Sequence, residues 1–151
     1  MRSVVAIFVI GFLGIFAIGL GLTRMHGLRL VPDRVAASAS GGFACTVASV
    51  TDGDTLRCTD GTRVRIAGIN AREKDGTCNV GAPCPAASAE QATAVLEALA
   101  AGRVIQCQAN GTTYNRIAAF CRTADGVDVS CAMLNSGTVA RWDRHWNGHS
   151  C

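Results

Sequence analysis

One part of this chain carries the three kinds of side chain that the hydrolysis of a phosphodiester needs. A carboxylate can bind a cation, a second carboxylate can deprotonate the attacking water, and guanidinium groups can neutralise charge that develops on the phosphate oxygens. The candidates, in chain order, are Asp52-Gly53-Asp54-Thr55, Arg65, Glu73 and Arg116. These residue types favour a phosphodiester hydrolase, provided that the fold brings them together.

A hairpin and a further strand are predicted to position the first of these groups. The strands Phe43–Val50 and Thr55–Thr59 are joined at Asp52-Gly53, a dipeptide that favours tight turns, so Asp54 lies where the second strand begins. The run Arg63–Ile69 alternates polar and apolar residues, which is the period of a half-buried strand. We expect these strands, and the loop that follows them, to gather the charged groups.

The rest of the chain predicts further strands and two helices. Ser88 and Gln91 fit a capping box, and apolar residues then recur at helical spacing until Gly102 ends the pattern. The other predicted elements are a loop (Ala71–Pro85), a second hairpin (Val104–Gln108 with Ile117–Arg122) and a short helix (Val129–Asn135). Strands, a helix, more strands and a final helix indicate an α+β fold.

Several segments, taken in order, resemble the thermonuclease (staphylococcal nuclease-like) family. The resemblance runs from Phe43 to Trp146 and rests on the segments Asp52–Thr55, Arg63–Glu73, Pro85–Glu90 and Tyr114–Arg116. It implies a five-stranded OB-fold β-barrel with two packed helices. It also implies a nuclease that hydrolyses phosphodiester bonds of a DNA or RNA partner by metal-assisted attack of water.

The resemblance implies a role for each residue of the predicted site. Glu73 matches the general base that activates the attacking water. Arg65 and Arg116 match the two arginines that bind the phosphate and stabilise its transition state. Tyr114 matches a residue that lines the nucleotide pocket. Arg63 lies two positions before Arg65 on the predicted strand, so we expect it to point to the same face and border the site.

The resemblance also implies a Ca²⁺ site formed by Asp54, Asn70 and Ala71. Carboxylate and carbonyl oxygens are the ligands that such a hard cation prefers. Asn70 stands where the family usually has a second aspartate, so one negative charge is lost and the affinity for the cation is expected to fall. Ala71 stands at a position that binds the cation through its backbone carbonyl.

Plainer interpretations of the same residues lead to an alternative function. Taken singly, Asp54 could be a solvated turn residue, Glu73 an exposed loop residue, and the arginines exposed residues of strands. Trp142 and Trp146 could stack on bases or bury the open end of the barrel. The net charge of +3 depends on arginines near the amino terminus, and charges nearly balance after Gly41. A catalytically weak or inactive OB-type nucleic-acid-binding module in the cell envelope is therefore the alternative, and an envelope domain that ignores nucleic acid is a third possibility.

The amino-terminal part predicts a membrane segment and a linker. Residues 4–22 are apolar and uncharged, long enough for an N-terminal apolar helix that crosses a bilayer. We assign residues 1–25 to a transmembrane anchor or signal segment, with the anchor favoured, residues 26–42 to a linker and residues 43–151 to the thermonuclease-like domain. The chain is expected to contact the membrane through this segment, with the domain in the periplasm or outside the cell; secretion is the alternative. No protein partner is evident.

The eight cysteines predict a disulfide framework and an oxidising compartment, although arginines after the apolar run favour the cytoplasm by the positive-inside rule. Two pairs flank predicted hairpin turns, and opposed positions on antiparallel strands are close enough for a bridge. The two pairs suggested in this way are Cys45–Cys58 and Cys107–Cys121; Cys78–Cys84 and Cys131–Cys151 would then remain, and the sequence alone leaves the connectivity open. A zinc site is the competing interpretation; no Cys-x-x-Cys pair occurs and the histidines lie elsewhere in the sequence.

Overall fold

The computed structural model of the protein describes residues 41–151. The predicted anchor or signal segment, 1–25, and nearly all of the predicted linker, 26–42, lie outside the described residues. Within residues 41–151, no helix has the length and apolar character needed to span a bilayer.

Seven strands and two α-helices form the described part of the chain. The strands are β1 (Gly42–Asp52), β2 (Thr55–Cys58), β3 (Arg63–Ile66), β4 (Ile69–Asn70), β5 (Val104–Thr113), β6 (Arg116–Thr123) and β7 (Ala140–Arg141). The helices are α1 (Ala89–Ala100) and α2 (Val129–Asn135), and a 3₁₀ turn follows at Asp143–His145. Both predicted helices are confirmed, including the capping box of Ser88 and Gln91 at the start of α1.

Five of the strands close into a barrel in the order β1-β2-β3-β6-β5. Neighbouring strands are antiparallel except β3 and β6, which run parallel, and β4 pairs with β7 outside the barrel. The predicted α+β class and barrel with two helices are confirmed, and the topology is OB-like. Alternate strand residues fill the barrel, and α1 adds Ala92, Leu96 and Ala100 to the same core.

Four disulfides hold the described chain together, and they are the four predicted pairs. Cys107 and Cys121 are directly opposite on β5 and β6. Cys45 bridges to Cys58 diagonally, because irregularities in the pairing of β1 shift its register. The remaining bridges are Cys78–Cys84 and Cys131–Cys151, so no described cysteine is free.

Local departures from the predicted strands follow from turn geometry. The first strand extends through Asp52, so the loop of the hairpin is Gly53-Asp54 rather than Asp52-Gly53. The predicted strand Arg63–Ile69 is interrupted at Gly68, whose φ of +72° suits a residue without a Cβ. An added Cβ at Gly68 would also lie 2.5 Å from a ring carbon of Trp146.

Gly53 allows the loop that carries Asp54 to pack against α1. A Cβ at this position would lie 2.4 Å from the Cβ of Ala92 and 2.7 Å from the Cβ of Ala71. Both distances are shorter than side-chain carbons tolerate, so glycine is required there by close approach rather than by the turn alone.

Gly53→Ala should lower the free energy of unfolding by about 1–3 kcal/mol, because the new methyl group overpacks the contact with α1. Chemical denaturation measures the change. Gly42→Ala is the matched control, since its added Cβ would meet its nearest atom at 3.4 Å. Equal stability of the two variants would contradict the close-packing explanation.

Candidate active site

Three neighbouring strands present the candidate residues on one outer face of the barrel. Thr55 of β2 lies opposite Arg65 of β3, and Arg65 lies beside Ala118 of β6. Arg116 precedes Ala118 by two positions on β6, so its side chain points to the same face. The residues between them along each strand point into the core. The alternation seen in the sequence therefore brings the two arginines to one surface.

Asp54 is almost fully enclosed, with 7% of the residue exposed. Its Oδ1 accepts a hydrogen bond from the Thr55 hydroxyl at 3.1 Å. Its Oδ2 accepts the backbone N–H of Ala71 at 2.8 Å and forms an ion pair with Nη2 of Arg65 at 2.9 Å. A buried carboxylate is costly unless its oxygens have partners. Both oxygens of Asp54 have them.

Arg65 is buried to the same degree, with 8% of the residue exposed. Its Nη1 donates to the backbone carbonyls of Ile66 at 2.9 Å and Ile69 at 3.0 Å. Its Nη2 donates to Oδ1 of Asn70 at 3.3 Å and pairs with Asp54. All four N–H groups on the terminal nitrogens therefore face protein acceptors. A phosphate can bind Nη2 only by replacing Asp54 or Asn70.

Arg116 is the more available of the two arginines. Its Nη1 donates to Oγ1 of Thr55 at 3.2 Å, and the same hydroxyl donates to Asp54. Its other N–H groups have no partner among the described residues, and the side chain is only half-buried. Thr55 thus links Arg116 to the buried Asp54–Arg65 pair, and Arg116 is free to contact an anion.

The predicted metal ligands Asp54, Asn70 and Ala71 lie together, and their oxygens suit a hard cation. Arg65 contacts both side-chain oxygens of this set, at 2.9 Å on Asp54 and 3.3 Å on Asn70. Asn70 is fully buried, and its Nδ2 donates to the carbonyl of Pro83 at 2.9 Å, which fixes the direction of its amide oxygen. A divalent cation would compete with the guanidinium for these oxygens.

Glu73 lies exposed in the loop between β4 and α1. The loop turns back on itself through hydrogen bonds between Glu73 and Thr77 and between Gly76 and Glu73. The Nδ2 of Asn79 donates to Oε1 of Glu73 at 2.8 Å. Glu73 makes no hydrogen bond or ion pair to Arg65, Arg116 or Asp54, and it does not line the adjoining cleft.

A cleft of about 570 Å³ adjoins these residues. It is lined by, among others, Arg65, Arg116, Tyr114, Asn79, Trp142 and His145. Tyr114 is 96% exposed in the turn between β5 and β6, with a positive φ of 53°. Trp146 instead packs edge-on against Phe120 in the core, with ring centroids 5.9 Å apart. The cleft therefore combines cationic groups with aromatic rings.

Arg63 contacts the turn between β5 and β6. Its Nη1 donates to Oδ1 of Asn115 at 3.2 Å, across to the turn before Arg116. It shares the face of Arg65, as predicted, but does not line the cleft. Its charge borders the site from the side of the turn. Of the predicted site residues, Arg65, Arg116 and Tyr114 line the cleft, whereas Asp54, Asn70, Ala71 and Glu73 do not.

Sequence reasoning assigned no role to three residues of this site. Thr55 connects Asp54 to Arg116, and its presence in the quoted motif was the available signal. Asn79 bonds Glu73 and lines the cleft. His145 lines the cleft and stacks edge-on with Trp142, with ring centroids 4.4 Å apart. The last two come from loops, whose paths local periodicity does not predict.

Burial shifts the titration of the central pair. It raises the pKa of Asp54 to about 6, because removal from water outweighs the attraction of Arg65; the charge of Asp52 adds to the rise. Burial also lowers the pKa of Arg65, against the attraction of Asp54. Ionising Asp54 in the folded protein therefore costs free energy, and its ion pair and hydrogen bonds offset only part of that cost.

The raised pKa of Asp54 predicts a pH dependence of stability. Relative to the ordinary value of 3.8, the shift favours folding while Asp54 is protonated, and this contribution is lost as the pH rises from about 4 to about 6. The unfolding free energy of the wild type minus that of Asp54→Asn should fall by up to about 1.4 kcal/mol per pH unit in this window. Urea unfolding with a chelator present measures it. A difference that grows with pH would mean that Arg65 dominates.

The resemblance to the thermonuclease family rests on residues of this chain. No protein-family model matches the chain, and no curated protein is significantly similar to it. The residues of the site and their geometry are therefore what indicates a function.

Proposed function

We propose that this domain is a nuclease that hydrolyses phosphodiester bonds of DNA or RNA by attack of water. The observation that carries the proposal is the placement of Arg65 and Arg116 on one face, where both line the same cleft. Guanidinium groups suit the oxygens of a phosphate, which they bind in pairs. The resemblance of the same residues to thermonucleases supports this assignment.

Arg116 makes the first contact with the phosphate in this proposal. It is half-buried, lines the cleft and uses one of its terminal nitrogens to bond Thr55. Binding a phosphate oxygen therefore costs Arg116 no existing ion pair. Its charge then neutralises the negative charge that grows on the phosphorus oxygens during attack.

Arg65 acts second, because it must first exchange a partner. Moving Nη2 from Asp54 to a phosphate replaces one charge-assisted hydrogen bond of Arg65 by another. It leaves Oδ2 of Asp54 with the N–H of Ala71 as its partner, so the carboxylate needs compensation. Nη1 of Arg65 remains bonded to Ile66 and Ile69, which keeps the guanidinium in place. A divalent cation such as Ca²⁺ on Asp54, Asn70 and the carbonyl of Ala71 would supply Lewis-acid stabilisation and compensate the carboxylate.

Glu73 is the proposed general base. It is exposed to the water that it must deprotonate, and Asn79 orients one of its oxygens. Tyr114 and Trp142 offer rings on which a base of the nucleic acid stacks. Because charges nearly balance after Gly41, bulk attraction of a polyanion adds little, and binding depends on contacts within the cleft.

A catalytically weak or inactive nucleic-acid-binding module is the second candidate. One observation favours it: all four N–H groups on the terminal nitrogens of Arg65 already face protein acceptors, and two of these bind the proposed metal ligands. Such a domain would retain the cleft and Arg116 without fast hydrolysis.

The four disulfides suit an oxidising environment. We therefore propose a domain outside the cytoplasm, held at the membrane by the amino-terminal segment or secreted.

Glu73→Gln should reduce cleavage of DNA or RNA by about 10²–10⁴-fold, because the amide cannot accept a proton, while binding to the same oligonucleotide persists. Single-turnover cleavage and fluorescence anisotropy measure the two properties. Glu97→Gln, on the exposed side of α1, is the control that removes an equal charge. Cleavage by Glu73→Gln at the wild-type rate would remove Glu73 from the mechanism. Oligonucleotide binding without cleavage by the wild type would favour the second candidate.

Asn70→Asp should lower the Ca²⁺ concentration needed for half-maximal cleavage by about tenfold, because a second carboxylate adds charge to the proposed cation site. The same variant should show a larger rise in melting temperature on addition of Ca²⁺ than the wild type. Asn135→Asp, exposed on α2, adds the same charge elsewhere. Equal Ca²⁺ responses of the two variants would rule out Asn70 as a ligand.

A further inference from the structure

The carboxy-terminal tail brings together a second group of side chains that can bind a metal ion. None of them belongs to the candidate active site. Asp128 and Cys131 lie at the start of α2, and His149 and Cys151 lie on the tail. One ligand atom from each of Asp128, Cys131 and His149 lies within 4.8 Å of the others. The sequence argument that the histidines lie apart from the cysteines is therefore wrong for His149.

Asp128 contributes a buried oxygen that lacks a hydrogen bond. Its Oδ1 caps α2 by accepting the backbone N–H of Cys131 at 3.0 Å. Its Oδ2 makes no hydrogen bond to any described residue, although the side chain is only 9% exposed. This oxygen lies 2.9 Å from Nε2 of His149 and 3.3 Å from the guanidinium of Arg122, as ion-pair contacts. The two contacts are electrostatic, so this oxygen keeps a lone pair that a cation beside His149 can use.

The ring of His149 is held in a fixed orientation. It stacks on Phe120, with centroids 4.0 Å apart and planes 9° from parallel, and meets Trp146 edge-on at 5.1 Å. The Nε2 atom then lies 3.9 Å from Sγ of Cys131. Packing thus aims one nitrogen at both Asp128 and the Cys131–Cys151 bridge.

We propose that reduction of the Cys131–Cys151 disulfide turns this cluster into a zinc site with four ligands. The ligands are Oδ2 of Asp128, Nε2 of His149 and the two sulfurs. A dithiol reductant supplies two electrons and two protons, the S–S bond breaks, and the dithiol becomes a disulfide. Zn²⁺ then binds the two thiolates and releases both protons to solvent.

The geometry requires one substantial movement. Ligand atoms of a tetrahedral zinc site lie roughly 3.3–3.8 Å apart, given the usual bond lengths. Nε2 of His149 lies 3.9 Å from Sγ of Cys131, which is already close to this range. The same nitrogen lies 2.9 Å from Oδ2 of Asp128, so these two atoms must move slightly apart. The sulfurs must separate from a bond length of about 2 Å to about 3.8 Å. Cys151 is exposed, so its side chain has space for this movement.

Charge and accessibility also support the proposal. Zn²⁺ with two thiolates and one carboxylate carries a net charge of −1, which the nearby guanidinium of Arg122 balances. The bridges Cys45–Cys58 and Cys107–Cys121 are buried in the barrel, with each cysteine 3% exposed or less. The tail bridge is therefore more accessible to a reductant. Thiolate and imidazole ligands select zinc over calcium, so this site is separate in chemistry from the proposed nuclease site.

Zinc titration of the full-length protein in detergent, before and after treatment with a dithiol, tests the proposal. The reduced protein should bind one Zn²⁺ per chain with a dissociation constant below about 1 µM in competition with a chromophoric chelator. The oxidised protein should not. Co²⁺ in place of Zn²⁺ should give thiolate charge-transfer absorption, and this should weaken in Cys151→Ser.

Matched variants assign the ligands. His149→Gln and Asp128→Asn should each weaken zinc binding at least about tenfold, and asparagine keeps the oxygen that caps α2. His145→Gln, on the same tail, should bind as the wild type does, and so should a Cys78→Ser/Cys84→Ser protein, in which the other exposed bridge is removed. Failure of the reduced protein to bind zinc, whether folded or unfolded, would overturn the proposal. Undiminished binding by His149→Gln would do so as well.

Discussion

The buried ion pair between Asp54 and Arg65 is the interaction on which this site depends. It ties the loop of the first hairpin to β3 and to the chain that follows β4, because Asp54 also accepts the N–H of Ala71. Two buried charges are tolerated only when each hydrogen-bonding group has a partner. The backbone carbonyls of Ile66 and Ile69 supply those partners for Arg65. The carboxylate and the guanidinium thus join these segments with the same atoms that the proposed chemistry uses.

This double use creates a conflict between stability and function. A ligand can recruit Arg65 only if it replaces the hydrogen bonds that Arg65 gives up, since an unpaired buried group is costly. A phosphate oxygen meets that condition, and water alone meets it poorly. Arg116 is not limited in this way, because Thr55 is its one hydrogen-bond partner among the described residues. The two arginines are therefore unequal: one is ready for an anion and the other is released in exchange for it.

The carboxy-terminal tail completes both the core and the cleft. Trp146 packs over Gly68, where a side chain would collide with its ring. His145 and Trp142, from the same segment, line the cleft. The tail is fixed by the bridge from Cys131 to Cys151 and by contacts of His149 with Asp128 and Phe120. One covalently held segment thus contributes residues to both the core and the cleft.

The sequence by itself determined both helices, most of the barrel strands and the two cysteine pairs that flank hairpin turns. Alternation along Arg63–Ile66, the capping box at Ser88 and the hairpin symmetry around Cys107 and Cys121 depend on neighbours in sequence, and short-range geometry fixes them. The tertiary structure decided the rest. The N–H groups on the terminal nitrogens of Arg65 all have acceptors because the break at Gly68 turns backbone carbonyls toward them. His149 reaches Asp128 because the tail folds back. Both are contacts between distant segments, whose distances are set only when the core closes and which no local period encodes.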